Sequence, residues 1–187
     1  METWEAELQA KLGQDEPETP QDGPSASVAL LLRWRDGPEG LLIHRIEREG
    51  DPWSGQIALP GGMRDIRDKS PVETARRETL EEVALDVGRS FFLLGRLPRV
   101  RPVNVSQLTV FPYVFSLRKE ASPRAGPEVQ EAFWTSLSSL RTSRTTRTVH
   151  AGGRELRVPV YLTNGRVVWG LTHRILTNLF DLSLGFL

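Results

Sequence analysis

Three glutamates at helical spacing are the residues in this sequence most suited to chemistry: Glu78, Glu81 and Glu82. Wound at about 100° per residue, they fall on one face of a helix. Like charges this close repel by about 0.2–0.5 kcal/mol per pair, a cost that a divalent cation removes. Carboxylate oxygens suit Mg²⁺, Mn²⁺ or Ca²⁺. A solvated helix face has the same pattern, so the residues that precede the helix are needed to distinguish it from a metal site.

The residues before the glutamates predict a glycine turn, followed by signals for the N-terminus of a helix. Pro60, Gly61 and Gly62 end a strand, and glycines there let backbone atoms approach a metal or a phosphate closely. Ser70 and Glu73 form a predicted capping box, and Pro71 takes the first helical position. The predicted helix runs from about Pro71 to Ala84. Its apolar face is separate from the acidic one and consists of Val72, Ala75, Thr79 and Val83.

The whole segment resembles the Nudix box, Gly-x5-Glu-x7-Arg-Glu-U-x-Glu-Glu-x-Gly-U, in which U is aliphatic. The matching positions are Gly62, Arg77, Glu78, Glu81, Glu82 and Leu85. One extra residue separates Gly62 from Arg77, so that Asp68 stands closest to the first Glu of the pattern. Thr79 replaces an aliphatic residue and Ala84 replaces a glycine. The insertion with Asp65 and Asp68 resembles the coenzyme A pyrophosphatase branch of the family.

The resemblance to that branch covers roughly residues 25 to 184. It includes Gly55 to Gly62, Glu128 to Phe133 and Trp169 to Thr172. The coenzyme A signature upstream of the box is only partly present. The positions that fit it are Leu41, Leu42, Arg45, Gly55, Pro60, Gly61 and Gly62. The departures are Ile43, Ile46 and Leu59, while Arg48 lies near, but not at, the position of the second arginine.

The resemblance implies a Mg²⁺ or Mn²⁺ site with Glu78 and Glu82 as main ligands, completed by Glu81 and the Gly61 carbonyl. Arg77, one helical turn from Glu81, is expected to orient a glutamate rather than touch substrate. The general base stays open between Glu81, Glu128 and Glu131. The substrate-binding candidates are Arg45, Arg48 and Arg64, for a substrate phosphate, and Trp53, for stacking on a base or on a pantetheine arm.

The implied activity is hydrolysis of the pyrophosphate of a nucleoside diphosphate derivative. Coenzyme A is the leading substrate, cut to 3′,5′-ADP and 4′-phosphopantetheine. ADP-ribose, NADH or another such derivative is the alternative. A nucleotide-binding module without hydrolysis is a second alternative, which the intact set of Glu78, Glu81 and Glu82 disfavours. The sequence leaves the oligomeric state open, with a homodimer as one option.

The predicted elements, many strands and few long helices, indicate a mixed sheet with helices packed on it. The resemblance implies an α/β (α+β) protein of the Nudix fold, with a mixed β-sheet sandwiched between helices. Residues 1–24 are expected to form a short helix, with Trp4, Leu8 and Leu12 at helical spacing, followed by a flexible linker. Residues 25–187 are expected to form the Nudix hydrolase domain. The Ser, Thr and Arg stretch from Arg141 to Arg147 is expected to be a mobile, solvated loop.

Composition narrows the class of protein further. The 187 residues include 24 Lys and Arg, 24 Asp and Glu, and no cysteine. The zero net charge argues against nucleic-acid binding, and the absence of cysteine excludes thiol nucleophiles and Cys-ligated zinc. The sequence has neither an apolar run of membrane-spanning length nor the features of a signal peptide. We therefore expect a cytoplasmic protein that acts on a small-molecule nucleotide, away from membranes.

Overall fold

The computed structural model describes residues 3–14, 23–50, 53–103 and 105–183. Within them the helices are Thr3–Lys11 (α1), Pro71–Val83 (α2), Val87–Ser90 (α3), Leu137–Thr142 (α4) and Gly170–Leu182 (α5). The strands are Ser25–Trp34 (β1), Pro38–Arg45 (β2), Ile57–Ala58 (β3), Gly61–Met63 (β4), Phe91–Arg96 (β5), Thr109–Leu117 (β6), Val129–Ser136 (β7), Thr145–Ala151 (β8), Arg154–Thr163 (β9) and Arg166–Val168 (β10).

The main sheet is mixed, as the sequence predicts. Its strands follow the order β3-β2-β1-β6-β5, with β4 also paired to β1 and β7 also paired to β2. β1 and β6 run parallel, in register from Ser25 opposite Thr109 to Leu32 opposite Ser116. The other pairs in this sheet are antiparallel. The parallel pair brings the start of β6 beside the start of β1, where β4 also lies.

Helices cover both faces of this sheet, which confirms the predicted sandwich. Successive side chains of β1 point to opposite faces, so Leu30 and Leu32 join one apolar layer while Ala29 and Leu31 join the other. The first layer packs against α1, α4 and α5, and the second against α2. Within the described residues, no helix is both long and apolar enough to cross a membrane.

The expectation of a mobile loop from Arg141 to Arg147 is wrong. Residues 137–142 form α4, and β8 begins at Thr145 and pairs with β9 along its whole length. The strand is rich in β-branched residues and is followed by Gly152 and Gly153, which both have positive φ. A glycine pair of this kind makes the tight turn of a β-hairpin. This turn signal, rather than the polarity of the stretch, predicts the structure.

The N-terminal helix packs on the main sheet. Trp4, Leu8 and Leu12 are buried in the same apolar layer as α5. Glu5 is also buried, and both of its carboxylate oxygens accept hydrogen bonds from Arg118, at 2.9 and 2.8 Å. Residues 15–22, most of the expected linker, lie outside the described residues, so the division at residue 24 stays a prediction.

Candidate functional site

The acidic helix α2 has a defined start and a defined end. Ser70 is its N-cap residue and Pro71 follows at the first helical position, as predicted. The predicted capping box is wrong, because the Ser70 side chain makes no cap hydrogen bond and Glu73 accepts from the Lys69 amide at 2.9 Å instead. Ala84 ends the helix in the left-handed conformation, with φ of 54°. These ends fix the rotation at which α2 presents its glutamates.

A cavity of about 320 Å³ opens beside this helix. At one end it is lined by Glu78 and Glu82 of α2, by Gly61 and Gly62 of β4, and by Arg45 at the end of β2. The remainder of the wall is largely apolar and includes Val28, Trp53, Leu59, Met63, Pro102, Leu108, Val110, Leu171 and Ile175. A cavity with one polar end and a long apolar wall is typical of a small-molecule site.

Glu82 is the most buried acid of the site, with 5% of its surface exposed. Its Oε2 accepts a hydrogen bond from the Gly61 amide at 2.8 Å, and its Oε1 lies 3.3 Å from Nη1 of Arg45. Burial raises the pKa of Glu82 to about 7, although the Gly61 amide and Arg45 both favour the charged form. The two partners therefore offset only part of the cost of burying this charge.

Glu78 and the glycine turn fit closely against one another. A Cβ at Gly62 would lie within 2.6 Å of the Glu78 carboxylate, and a Cβ at Gly61 would lie 2.3 Å from the Ser27 carbonyl oxygen. Gly61 also has a φ of 151°, which side chains rarely adopt. Burial raises the pKa of Glu78 as well. Gly62 thus lets β4 approach the Glu78 carboxylate, and Gly61 lets it pack closely against β1.

Arg77 organises the rest of the acidic face. Its guanidinium pairs with both oxygens of Asp68, at 3.0 and 2.9 Å, and donates to the Met63 carbonyl at 3.0 Å. Its Nη1 also donates to Glu78 at 2.8 Å and to Glu81 at 3.1 Å. Arg77 therefore contacts two of the predicted metal ligands and holds the loop before α2 against the helix.

Asp68 holds the Arg77 guanidinium in place. It is buried, and its Oδ2 accepts hydrogen bonds from the Thr74 hydroxyl and the Asp65 amide, each at 2.9 Å. The Arg77 guanidinium holds the pKa of Asp68 below its usual range, and the Asp65 and Thr74 donors act in the same direction. Asp68, in the segment that carries the one-residue insertion, is thus held in place by hydrogen bonds from Arg77, Thr74 and Asp65.

The donor groups fit a divalent cation. In the described part of the chain, no three His, Asp or Glu side chains form a ready-made metal cluster. Glu78 and Glu82, however, both line the cavity, burial raises the pKa of both, and the charge of Glu78 raises the pKa of Glu82 further. A hard cation would relieve this repulsion, and oxygen donors are the ligands that Mg²⁺ and Mn²⁺ prefer. Glu81 is more exposed and pairs with Arg77 outside the cavity lining.

The other predicted residues divide into two groups. Trp53 and Glu128 line the cavity with Arg45, and Glu128 pairs with Arg48 at 3.0 Å. Arg64 instead donates to the Asp68 carbonyl at 3.1 Å and is not among the lining residues. Glu131, the third candidate base, is also absent from the cavity lining and pairs with Arg166.

No local pattern in the sequence predicts the apolar wall. Leu108 and Val110 reach the cavity because β6 pairs in parallel with β1, and Ile175 reaches it from α5. These segments are far apart along the chain, so only the tertiary structure brings them together. The helical periodicity of α5 predicts a buried face but not what that face meets.

Two proteins of similar sequence and one solved structure of similar fold place this chain among known proteins. The chain is 34% identical to C14C4.10c of Schizosaccharomyces pombe over 90% of its own length, but it spans only 47% of that protein. It is 31% identical to the mitochondrial coenzyme A diphosphatase NUDT8 of Homo sapiens, covering 79% of this chain and 65% of that one. A crystal structure of a MutT/nudix family protein from Enterococcus faecalis has the same fold, with a TM-score of 0.59, 22% identity, and coverage of 90% of this chain and 64% of that one.

The family itself follows from a match over most of the chain. Residues 23–155 match the NUDIX domain, and this range contains the glycine turn, the acidic helix and Glu128. The elements from β1 to β7 lie within this matched range. The chain belongs to the NUDIX domain family.

Proposed function

We propose that this protein is a divalent-metal-dependent hydrolase that cleaves the diphosphate of coenzyme A or its derivatives to 4′-phosphopantetheine and 3′,5′-ADP. The observation that carries the reaction class is the pair of carboxylates, half-buried Glu78 and buried Glu82, beside Gly61 and Gly62 in one cavity. The human relative named as a coenzyme A diphosphatase supports the choice of substrate.

The chain's own residues divide the work as follows. Glu78 and Glu82 would hold Mg²⁺ or Mn²⁺, which neutralises diphosphate charge and lowers the pKa of water when bound. Arg77 positions Glu78 and Glu81. Arg45 and the Gly61 amide position Glu82. Glu128 lines the cavity and is our choice to accept the proton of the attacking water, in preference to Glu81, which lies outside the lining.

A substrate screen tests this proposal. Coenzyme A, dephospho-coenzyme A, ADP-ribose and NADH are each incubated with Mg²⁺ and separately with Mn²⁺, and the products are identified by mass. We expect 4′-phosphopantetheine and 3′,5′-ADP from coenzyme A, in a metal-dependent reaction. Absence of turnover on all four compounds, with retained binding, would instead identify a nucleotide-binding module.

One feature of the cavity favours the second candidate, a pyrophosphatase for ADP-ribose or NADH. Arg45 is the only cationic side chain among the described lining residues, and it lies against Glu82. Coenzyme A differs from these compounds by its 3′-phosphate, and recognition of that group would need a cationic side chain besides the one that pairs with Glu82. Such a charge-assisted contact is worth about 1.5–3 kcal/mol. A preference for ADP-ribose over coenzyme A in the screen would establish this candidate.

Arg45 provides the discriminating variant. If Arg45 serves mainly to position Glu82, Arg45→Ala lowers kcat on coenzyme A and on dephospho-coenzyme A by the same factor. If it binds the 3′-phosphate, the loss is about ten- to a hundredfold larger in kcat/KM on coenzyme A. Arg33→Ala is the control, because Arg33 pairs with Glu39 away from the cavity.

The cytoplasmic location is also a proposal, and so is a homodimer. The human relative is named as mitochondrial, so location does not follow from family membership. Fractionation of cells that produce the full-length protein tests the first, and sedimentation of the purified protein tests the second.

A further inference from the structure

A second depression lies next to the cavity. It is an open groove of about 560 Å³ between the tip of the β8–β9 hairpin and the segment that precedes β3. Val149, His150, Ala151 and Gly152 form one side, and Ser54 to Gln56 form the other. The hairpin, whose first strand begins within the stretch predicted as a loop, therefore forms one side of this groove.

The groove and the cavity share their walls. Gln56 lines both of them. Trp53 lines the cavity and Ser54 lines the groove, while Trp169 lines the groove and Leu171, two residues later, lines the cavity. A ligand held in the cavity can thus extend into the groove along two separate segments of the chain.

A substrate cleaved at a central diphosphate needs room for two arms. The cavity of about 320 Å³ is at the small end of the ~300–1,000 Å³ that a drug-sized ligand occupies. Its volume also includes the space beside Glu78 and Glu82, where the diphosphate must lie. One arm fits the apolar wall, and the other must leave the cavity.

The chemistry of the groove selects the arm. No Lys or Arg is among its described lining residues, and Nε2 of His150 lies 3.7 Å from the carboxylate of Glu155. An arm that carries a phosphate would gain little there. A Cβ on Gly50 or Gly152 would meet nothing within 4 Å, so open space lies beside the bare backbone on both sides of the groove. Such a surface suits an uncharged, peptide-like chain.

We propose that this groove binds the neutral, amide-bearing pantetheine arm of the substrate, while the apolar wall of the cavity takes the nucleoside. This inference rests on the proposed function and adds a specificity site contributed by the β8–β9 hairpin and the Ser54–Gln56 segment. It assigns Ala151, His150 and Trp169 to substrate recognition outside the acidic helix.

The test blocks the groove and measures the two halves of the substrate separately. Ala151→Trp fills the groove, and Thr148→Trp adds the same bulk to an exposed position of β8 that does not line it. With Mn²⁺ present, 4′-phosphopantetheine should inhibit the hydrolysis of coenzyme A competitively. Its inhibition constant should rise at least about tenfold in Ala151→Trp. Inhibition by 3′,5′-ADP should be unchanged in both variants, and Thr148→Trp should match the wild type.

Two results would overturn the proposal. One is weaker inhibition by 3′,5′-ADP in Ala151→Trp with unchanged inhibition by 4′-phosphopantetheine. The other is wild-type inhibition by both compounds. If Ala151→Trp melts early, His150→Ala replaces it, with the same selective weakening expected. Calorimetric titration of the wild type and the variants with both compounds repeats the comparison without turnover. A protein that fails to hydrolyse coenzyme A therefore refutes the proposed function separately from the groove.

Discussion

The charge of Glu82 is costly to bury, and its carboxylate is suited to a functional role. Its carboxylate is buried against the Gly61 amide and Arg45, yet its pKa stays raised to about 7 by burial. A group buried at such a cost beside a second acid is typical of a functional site. The structure therefore singles out Glu82 as the most buried of the three glutamates on the acidic face.

We expect Glu82→Gln to abolish turnover while leaving the fold intact. The amide keeps the shape and can still accept from Gly61, but it removes the charge that would hold a cation, which should lower kcat at least about 10²-fold. Steady-state kinetics at saturating Mg²⁺ and a melting curve check this. Glu73→Gln, on the same helix but outside the cavity lining, should keep full activity. Normal kcat in Glu82→Gln would refute its role.

Asp68 should make stability depend on acid pH. Because Arg77 holds its folded pKa below its usual value, its carboxylate stabilises the fold fully above its unfolded pKa of about 4. That contribution is lost as pH falls below 4 toward the folded pKa. The difference in unfolding free energy between the wild type and Asp68→Asn should thus be larger at pH 6 than at pH 3. Urea unfolding at both pH values measures it, and an equal difference would assign the effect to shape alone.

The end of α2 explains a departure of this sequence from the Nudix box. The box has glycine where this chain has Ala84, and Ala84 adopts a left-handed conformation that costs an alanine about 1–2 kcal/mol. Glycine adopts it without that cost and commonly follows a helix. The alanine is therefore tolerated by the fold rather than favoured by it.

Ala84→Gly should accordingly stabilise the protein by roughly 1 kcal/mol, measured by urea unfolding. Ala6→Gly is the matched control, because Ala6 is also exposed but lies within α1. The same substitution there should destabilise by about 0.5–1 kcal/mol, since glycine loses more conformational freedom in a helix. Destabilisation by both would show that the strain at Ala84 is absent.

The elements that the sequence predicts well are those with a strong local signal. The bounds of α2 agree with prediction to within one residue, because apolar periodicity and Pro71 mark this helix. The capping box failed because the pattern fixes which residues are present but not which amide the Glu73 carboxylate reaches. The prediction of a loop in place of β8 is wrong because it rests on the polarity of Thr145 to His150 and not on the glycine pair that follows. The predicted roles of the site residues await kinetics.

The molecule as a whole assembles its cavity from segments that are distant in sequence. β1 is the centre of this assembly, because it pairs with β2, β4 and β6 and separates the two apolar layers. It places Gly61, the start of β6 and the acidic helix within one pocket. The unfolded chain has no such convergence of Gly61, Glu78 and Glu82, so a ligand of these groups binds the native state alone.

Divalent metal should therefore stabilise the protein. At a metal concentration about 100 times Kd, binding to the native state alone contributes ~2.7 kcal/mol, or roughly 5–10 °C in Tm for a chain of this size. Melting in EDTA and then in excess Mn²⁺ measures the shift. Glu82→Gln should lose most of it because one of the two carboxylates that line the cavity becomes neutral, while Glu155→Gln on the exposed hairpin should retain it. An equal shift in Glu82→Gln would place the cation elsewhere, and no shift in the wild type would mean that Arg45, Arg77 and the Gly61 amide already balance the acids.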